Sequence, residues 1–162
     1  MSLNQLRLLL AACIFLPSSI FSQSAAITID EEYDDWPASL ATFTDGVDNP
    51  GGIDLLDFQV TNDADWLFVK ITLDTEIDIT DNIIPHTTWL YLDTDDNPST
   101  GFLAQTGYGT ELGVNFRQHY AWFNIPEPDI QVDFSDFKLR ILPTVSSTTF
   151  ELAIARDAVP DG

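Results

Sequence analysis

Short runs in which apolar and polar residues alternate, each bounded by turn-forming residues, constrain the fold of this chain more than any other feature. Every second position is apolar in residues 66–73, and residues 56–61 and 111–117 alternate in the same way. Because successive side chains of a β-strand point to opposite faces of a sheet, this period predicts half-buried strands. In the last of these runs, the side chains expected to point inward are Leu112, Val114 and Phe116. The same pattern predicts eight strands in all, at residues 26–30, 56–61, 66–73, 88–93, 111–117, 120–125, 137–142 and 149–155.

The spacing of these strands predicts an all-β domain. Loops rich in Gly, Asp, Asn and Pro, such as residues 45–52, separate the runs, and no long stretch has a helical period. We therefore expect a two-sheet antiparallel β-sandwich of the jelly-roll type, formed by residues 27–162. The last predicted strand ends close to Gly162, so the sequence leaves open whether the fold lacks its last strand or strands. In that case Phe150, Leu152 and Ile154 would lie on an unpaired edge.

Residues 1–26 have the three-part pattern of a secretory signal peptide. Arg7 supplies the basic start, residues 8–16 form an apolar run, and residues 22–26 are mostly small. The run is too short to cross a membrane as a helix. We expect cleavage after Ser24 or Ala26 and a mature domain that is secreted, periplasmic or on the cell surface.

The single cysteine lies inside this predicted signal peptide. Cys13 follows Leu10, Ala11 and Ala12, which resembles a bacterial lipobox, but apolar residues continue beyond it. A lipid anchor on Cys13 is therefore disfavoured. Once the signal peptide is removed, the mature chain has no thiol for disulfides, catalysis or metal binding.

The charge balance restricts the partners of the domain. The chain has 26 Asp and Glu against 6 Lys and Arg, a formal net charge of -20. A surface this acidic repels phosphate groups, which argues against the binding of nucleic acid or an anionic membrane by this segment. Neutral or cationic partners remain, namely glycans, metal ions and basic proteins.

A cluster of oxygen ligands follows the predicted strand 88–93. Asp93, Asp95 and Asn97 alternate there, and calcium takes about six to eight oxygen ligands. The spacing of the residues that follow is not that of an EF-hand loop. We expect calcium at these three residues, with Glu111 of the neighbouring strand as a further ligand. The alternative is an acidic turn without a metal, since turns use the same residue types.

Several segments resemble a known family. They look like the corresponding parts of family 9 carbohydrate-binding modules and of the related DOMON-like β-sandwiches, and they are residues 54–58, 61–68, 91–101 and 107–112. The stretch 27–36 is similar to the family's I-D-G…D-W opening, with Glu31 in place of the glycine. The resemblance covers nearly all of the mature chain.

This resemblance implies a non-catalytic module of an exported bacterial protein. Such modules carry structural calcium and, in some members, hold a sugar between aromatic rings. It also implies a further domain beyond Gly162, for example an endonuclease/exonuclease/phosphatase-type enzyme. The haem site of some DOMON relatives is disfavoured, because Met1 is the only methionine.

Carbohydrate binding requires exposed aromatic rings beside polar groups. The aromatic candidates are Trp66, Trp89, Tyr91, Tyr108, Tyr120 and Trp122. Of these, Tyr108 lies in a Gly-flanked loop, and Tyr120 and Trp122 share one side of a strand. We expect these three to contact a sugar. Trp36, Trp66 and Trp89 are expected to be packed.

The sequence has no recognisable catalytic motif. Residues 107–113 match a dinucleotide-binding loop only in part, because Leu112 replaces the third glycine. The two histidines, His86 and His119, cannot form a three-histidine zinc site. We expect an exported, calcium-stabilised accessory module that binds carbohydrate or is attached to a larger extracellular hydrolase. The alternatives are a purely structural spacer of a longer enzyme, without a glycan site, and an intrinsic hydrolase.

Overall fold

The structure, a computed structural model, describes residues 7–9, 26–48, 52–81, 88–105, 108–124 and 130–159. These residues form twelve strands: β1 (Arg7–Leu9), β2 (Thr42–Thr44), β3 (Leu55–Asn62), β4 (Trp66–Ile77), β5 (Trp89–Leu92), β6 (Phe102–Gln105), β7 (Tyr108–Thr110), β8 (Leu112–Asn115), β9 (Tyr120–Phe123), β10 (Ile130–Asp133), β11 (Arg140–Leu142) and β12 (Ser147–Ala155). Helix within these ranges is confined to α1 (Phe134–Phe137) and a 3-10 turn at Arg156–Ala158. Of the predicted signal peptide, residues 7–9 and 26 are described. Cys13 and His86 lie outside the described residues.

The fold-class prediction is confirmed, because the chain is all-β and its strands pair in antiparallel sheets of the kind a β-sandwich contains. The described residues fall into two compact units. We name the units by their order along the sequence alone: the central unit comprises the described residues of 7–9, 79–138 and 157–159, and the flanking unit comprises those of 26–78 and 139–156. Among the described residues, no helix has the length and apolar character that a membrane span requires.

The central unit is built on a five-stranded sheet with the order β1-β5-β8-β9-β10. Its neighbouring strands are antiparallel, except that β1 runs parallel to β5. The predicted inward-pointing residues Leu112, Val114 and Phe116 are all 0% exposed. A separate hairpin of β6 and β7 belongs to the same unit. The alternation of residues 111–117 thus predicts correctly which face of β8 is apolar and buried.

The flanking unit is a five-stranded antiparallel sheet with the order β11-β12-β4-β3-β2. Alternate residues of its two longest strands are buried: Val69, Ile71 and Leu73 on β4, and Phe150, Leu152 and Ile154 on β12. The expectation that the last three would lie on an unpaired edge is wrong. β12 pairs with β4 on one side and with β11 on the other. It is therefore an interior strand of its sheet.

Residues 26–30 do not form the strand that their alternation predicts. The backbone N–H groups of Asp30 and Glu31 donate to Glu151 Oε1 at 2.7 and 2.6 Å, and the Trp36 indole donates to Glu151 Oε2 at 3.2 Å. Glu151 is 0% exposed, and a buried carboxylate requires donors of this kind. The segment is thus fixed by a single side chain of β12 in place of a ladder of backbone hydrogen bonds.

The same segment covers the second face of the flanking sheet. Ile27 and Trp36 pack with Phe68 of β4 and Ala153 of β12 in one buried cluster. Phe68 is 4% exposed although it lies on the face opposite the alternating apolar residues of β4. Both faces of β4 are therefore buried over part of its length.

Lys70 and Tyr33 are neighbours of the buried Glu151 side chain. Lys70 is the cross-strand partner of Glu151 on β4, and its Nζ lies 5.1 Å from the centre of the Trp36 ring. Burial, and after it the nearby carboxylates of Glu151 and Glu31, raise the pKa of Tyr33 above its usual value. The Tyr33 hydroxyl is thus held in its neutral form, and it donates to a backbone carbonyl of β12 at 2.9 Å.

The alternation also predicts one strand over residues 137–142. In the structure Phe137 is the last residue of α1, a single helical turn, and β11 begins only at Arg140. Lys138 ends this turn with a φ of 56°, and its N–H donates to the carbonyl of Phe134. Phe137 is nevertheless 0% exposed. Its apolar side chain is consistent with burial in either conformation, so the pattern alone did not separate a strand from a helical turn.

Glu31 has a φ of 72°, in the left-handed region that favours glycine. An L-residue in this region costs about 1–2 kcal/mol, so Glu31→Gly should raise the free energy of unfolding by about 1 kcal/mol. The hydrogen bond from residue 31 to Glu151 is made by the backbone and is kept. Chemical denaturation of the variant and the wild type measures the change.

Glu32→Gly is the matched control, because Glu32 is the exposed neighbour and has an ordinary φ. There the added freedom of the unfolded chain should lower stability by about 0.4–1 kcal/mol. Equal destabilisation by the two substitutions would show that residue 31 is not strained.

Candidate metal centre and aromatic face

Strand register places two acidic residues opposite each other where β5 ends and β8 begins. Leu92 of β5 pairs with Leu112 of β8, so Asp93 and Glu111 are the next cross-strand neighbours. The Glu111 N–H donates to the Leu92 carbonyl at 3.1 Å, which continues the ladder to this point. Like charges that face each other across two strands are destabilising. A positive charge beside this pair would compensate the repulsion between the two carboxylates.

Asp95, in the loop after β5, joins this pair. One carboxylate oxygen from each of Asp93, Asp95 and Glu111 lies within 4.8 Å of the other two, and we call these three residues the metal cluster. Oxygen ligands of a single calcium ion, each about 2.4 Å from the metal, are at most about 4.8 Å apart. The three carboxylates are thus close enough to hold one metal ion.

Two oxygen atoms of the metal cluster have no hydrogen-bond donor among the described residues. They are Glu111 Oε1 and Asp93 Oδ1, and both are buried. Glu111 as a whole is only 1% exposed. A buried acceptor without a partner costs about 1–3 kcal/mol, and more when it is charged. A bound cation would satisfy both atoms, whereas a fully solvated acidic turn would not bury them.

Hydrogen bonds to the remaining carboxylate oxygens hold the loop between β5 and β6 on Glu111 and, through Asp95, join the loop to itself. Thr94 donates to Glu111 Oε2 from its N–H at 2.8 Å and from its hydroxyl at 3.2 Å. Asp95 accepts from the Asn97 N–H at 2.9 Å and from the Thr100 hydroxyl at 2.8 Å. The carboxylates that could bind a metal therefore also determine the path of this loop.

Two glycines allow the loop to approach so closely. At Gly101, where φ is 64°, a Cβ atom would lie 2.5 Å from Glu111 Oε1 and would overlap the carbonyl of Thr110. At Gly109, a Cβ atom would overlap the carbonyl oxygen of Thr100. Larger residues at these positions would push the loop away from the cluster.

The structure brings together Asp93, Asp95 and Glu111 of the four ligands expected from the sequence. The side-chain oxygen of Asn97, the fourth, accepts the Ser99 N–H at 3.1 Å. Asn97 therefore takes part in the turn that carries the loop back toward Glu111.

A second group of carboxylates, which the sequence analysis did not single out, lies in the flanking unit. Asp45, Asp48 and Asp54 also place carboxylate oxygens within 4.8 Å of one another. Asp54, which is 1% exposed, accepts the Asp48 N–H at 3.2 Å, and Asp45 accepts the Gly46 N–H at 3.0 Å. Among the described atoms of this group, none is both buried and unpartnered. It therefore lacks the feature that marks the metal cluster, and the short spacing of acids in a loop was its only sequence signal.

Several rings of the central unit form a continuous array, which we call the aromatic face: Trp89, Tyr91, Phe102, Tyr120 and Trp122. Trp89 and Tyr91 stack with ring centroids 5.4 Å apart, and Phe102 lies 6.1 Å from Tyr91. Tyr120 contacts Trp89 at 6.2 Å and Trp122 at 5.8 Å. Phe102 is 50% exposed, and the other members are partly exposed.

The aromatic face and the metal cluster lie on the same side of the central sheet. Trp89 and Tyr91 of β5 and Asp93, which directly follows the strand, occupy alternate positions, and the residues between them, Leu90 and Leu92, are buried on the other side. Two residues of a strand span about 6.8 Å. The metal cluster therefore begins one side chain beyond Tyr91.

The residues expected to bind a sugar fall in different places. Tyr120 and Trp122 belong to the aromatic face, whereas Tyr108 lies on β7, in the two-stranded sheet, and is 36% exposed. Trp66 belongs to the flanking unit, where the Arg140 guanidinium lies 4.2 Å from its ring. The sequence analysis missed Phe102, whose only signal was an apolar residue directly after the acidic loop.

Trp36 is 6% exposed, as the expectation of a packed ring requires. Trp66 is partly buried and packs against the cluster that contains Trp36, and Trp89 is partly buried and stacks on Tyr91.

His119 is accounted for by structural contacts. Its Nε2 lies 3.2 Å from the Thr80 carbonyl oxygen, and its ring packs on Phe134 at 5.7 Å between centroids. Together with Thr80, Arg117 and Gln118 it lines a cavity of about 620 Å³. The His119 ring therefore makes structural contacts within the central unit, as expected of an ordinary loop or strand-end histidine.

Comparisons with known proteins identify no relative of this chain. No family model, no curated protein and no solved structure matches it. The resemblance to family 9 carbohydrate-binding modules therefore remains a prediction from the sequence. The function has to be argued from the metal cluster and the aromatic face.

Gly101→Ala tests whether the loop is packed on the metal cluster. The positive φ alone costs an L-residue about 1–2 kcal/mol, and the overlap with Thr110 and Glu111 adds to it. We expect the free energy of unfolding to fall by about 2 kcal/mol or more, measured by chemical denaturation.

Gly46→Ala is the control, because a Cβ atom at Gly46 meets nothing within 4 Å and its φ is not positive. This change should be within about 0.5 kcal/mol of neutral or slightly stabilising. A Gly101→Ala variant as stable as Gly46→Ala would contradict the close contact of loop and cluster.

Proposed function

We propose that this chain is an exported, non-catalytic accessory module whose metal cluster binds calcium. Cleavage of the predicted signal peptide would remove β1, an edge strand of its sheet, and would leave β5, β8, β9 and β10. The observation that carries the proposal is Glu111 Oε1, a buried carboxylate oxygen that lies beside two other carboxylates and has no donor among the described residues. A cation supplies the missing partner and offsets the repulsion between Asp93 and Glu111. In this role the ion joins the end of β5 to the start of β8 and stabilises the loop between β5 and β6.

The donor set favours calcium over transition metals. All three side chains of the metal cluster offer carboxylate oxygen, and neither imidazole nor thiolate is among them. Hard cations prefer oxygen ligands, and calcium accepts irregular sets that combine carboxylates with carbonyl groups and water. The proposed export from the cell would expose the site to calcium outside it.

We propose carbohydrate as the ligand of the aromatic face. The apolar face of a sugar ring packs on aromatic side chains, while its hydroxyl groups need polar partners. Polar groups are present at Tyr120, whose hydroxyl donates to Gln118 Oε1 at 2.6 Å and lies 3.5 Å from the Asn115 amide. Because the net charge of -20 repels acidic polysaccharides, the proposed ligand is a neutral glycan. Such a module would hold an attached extracellular hydrolase on its substrate.

Calcium should raise the melting temperature of the wild-type chain relative to chelator. At a concentration 100 times its dissociation constant, calcium stabilises the folded state by about 2.7 kcal/mol, and extracellular modules bind it at about 10⁻⁴ to 10⁻³ M. Asp93→Asn should lose most of this gain in calcium. In chelator the same variant should melt at or above the wild-type temperature, because it removes a repulsive charge. Thermal melts monitored by circular dichroism measure both conditions.

Asp65→Asn is the control for the change in charge, since Asp65 is exposed and belongs to neither carboxylate group. It should respond to calcium as the wild type does. If Asp93→Asn and Asp65→Asn gain equally from calcium, the ion is bound elsewhere and the metal cluster is only an acidic turn.

Insoluble cellulose and xylan should retain the wild-type chain, whereas polygalacturonate, which is acidic, should not. Trp122→Ala should weaken retention about tenfold, because one aromatic contact contributes about 0.5–1.5 kcal/mol beyond its buried area. Phe43→Ala is the matched control, since Phe43 is a 52% exposed ring stacked on Phe58 in the flanking unit. Depletion of protein from the supernatant measures binding.

A wild-type chain that neither cellulose nor xylan retains would favour the alternative function, a structural spacer of a longer enzyme without a glycan site.

A further inference from the structure

A short path of contacts connects the metal cluster to the aromatic face within the central unit. Gly101, whose backbone lies against Glu111 Oε1, directly precedes Phe102. Phe102 pairs with Thr110, the residue before Glu111, and the Thr110 hydroxyl donates to the Phe102 carbonyl at 2.9 Å. The Phe102 ring in turn lies 6.1 Å from Tyr91. Phe102 therefore lies between Gly101, which is packed on Glu111, and the ring of Tyr91.

We propose that metal binding and ligand binding are coupled in this chain: occupation of the metal cluster positions Phe102 against Tyr91 and thereby raises the affinity of the aromatic face for a neutral glycan. This inference rests on the proposed calcium and carbohydrate functions and adds the dependence of one on the other. Coupling of this kind is reciprocal, so the glycan must raise the affinity for calcium by the same factor.

Electrostatic repulsion within the metal cluster is the physical origin of the coupling. When the ion is removed, three carboxylates with oxygens within 4.8 Å of one another repel. Asp95 and Glu111 are also the acceptors that hold Thr94, Asn97 and Thr100 of the loop. A shift of either carboxylate loosens the loop and, with it, Gly101 and Phe102.

Phe102 is well placed to transmit this change, because it is 50% exposed and its ring contact is with Tyr91 of the aromatic face. It extends the row of Trp89 and Tyr91 toward the metal cluster. A glycan of several sugar units contacts successive rings, so removal of the end ring shortens the binding surface. Calcium thus affects the aromatic face without having to touch the sugar.

The first experiment measures the aromatic face alone. Near-ultraviolet circular dichroism of the full chain reports the environment of its aromatic rings, and calcium binding is followed in parallel by titration calorimetry. Calcium should change the spectrum of the wild type and of Phe43→Ala, whose ring lies in the flanking unit. In Phe102→Ala calcium should still bind, but most of the spectral change should be lost.

The second experiment measures the coupling with cellohexaose as the probe. Its affinity for the wild type should rise about fivefold or more between chelator and saturating calcium, which is the lower range of allosteric coupling. The calcium dissociation constant should fall by the same factor when cellohexaose is present. In Phe102→Ala both factors should approach one, and in Phe43→Ala they should be unchanged.

The outcomes separate this inference from the functions on which it rests. If calorimetry shows no calcium binding, or if cellohexaose, cellulose and xylan all fail to bind, the proposed function itself is wrong. If calcium binds but the aromatic spectrum and the cellohexaose affinity do not change, the coupling is overturned and the calcium site stands. Coupling that persists in full in Phe102→Ala would overturn the role of Phe102.

Discussion

Burial of carboxylates in a chain with few cations is the constraint on which the rest of the structure depends. With 26 acidic and 6 basic side chains, a buried Asp or Glu has to find neutral donors or a metal. Glu151 and Glu111 show the two solutions. Glu151 is 0% exposed and accepts two backbone N–H groups and an indole N–H. Glu111 is 1% exposed, and one of its oxygens has no donor in the described part of the chain. The first carboxylate fixes a segment of the chain, and the second belongs to a group of acids that could hold a cation.

The alternation of apolar residues was sufficient to predict the all-β class and the buried side of β8, because a strand with one apolar face repeats every two residues. It failed at residues 26–30, where the alternation is just as regular. There Asp30 and Glu31 donate to a side chain of β12, which is distant in sequence. A pattern read along one segment contains no information about such a partner. For the same reason it did not predict that β12 would have β11 as a second neighbour.

The metal cluster was partly predictable. Asp93 directly follows β5, and Glu111 directly precedes β8, so the antiparallel pairing of the two strands brings these residues together. The alternation also places Glu111 on the side away from Leu112, and it is on that side. What the sequence could not show is that the loop after Asp93 folds back over Glu111 and buries it. That burial depends on Gly101 and its positive φ. Because the loop excludes water from Glu111, one oxygen of this carboxylate is left without a hydrogen-bond donor in the described part of the chain.

The aromatic face and the metal cluster are linked by the geometry of a strand. Trp89 and Tyr91 on β5 and Asp93 directly after it occupy alternate positions on one side of the sheet. A shift of register by one residue would therefore move all three to the opposite side together. The sheet therefore cannot separate the ring array from the carboxylates. The loop after Asp93 can separate them, because it is held by hydrogen bonds to the side chains of Asp95 and Glu111 and not by a ladder of backbone hydrogen bonds. In the proposed coupling, the free energy that a cation contributes at the cluster acts first on this loop, and Phe102 at its end transmits the change to the aromatic face.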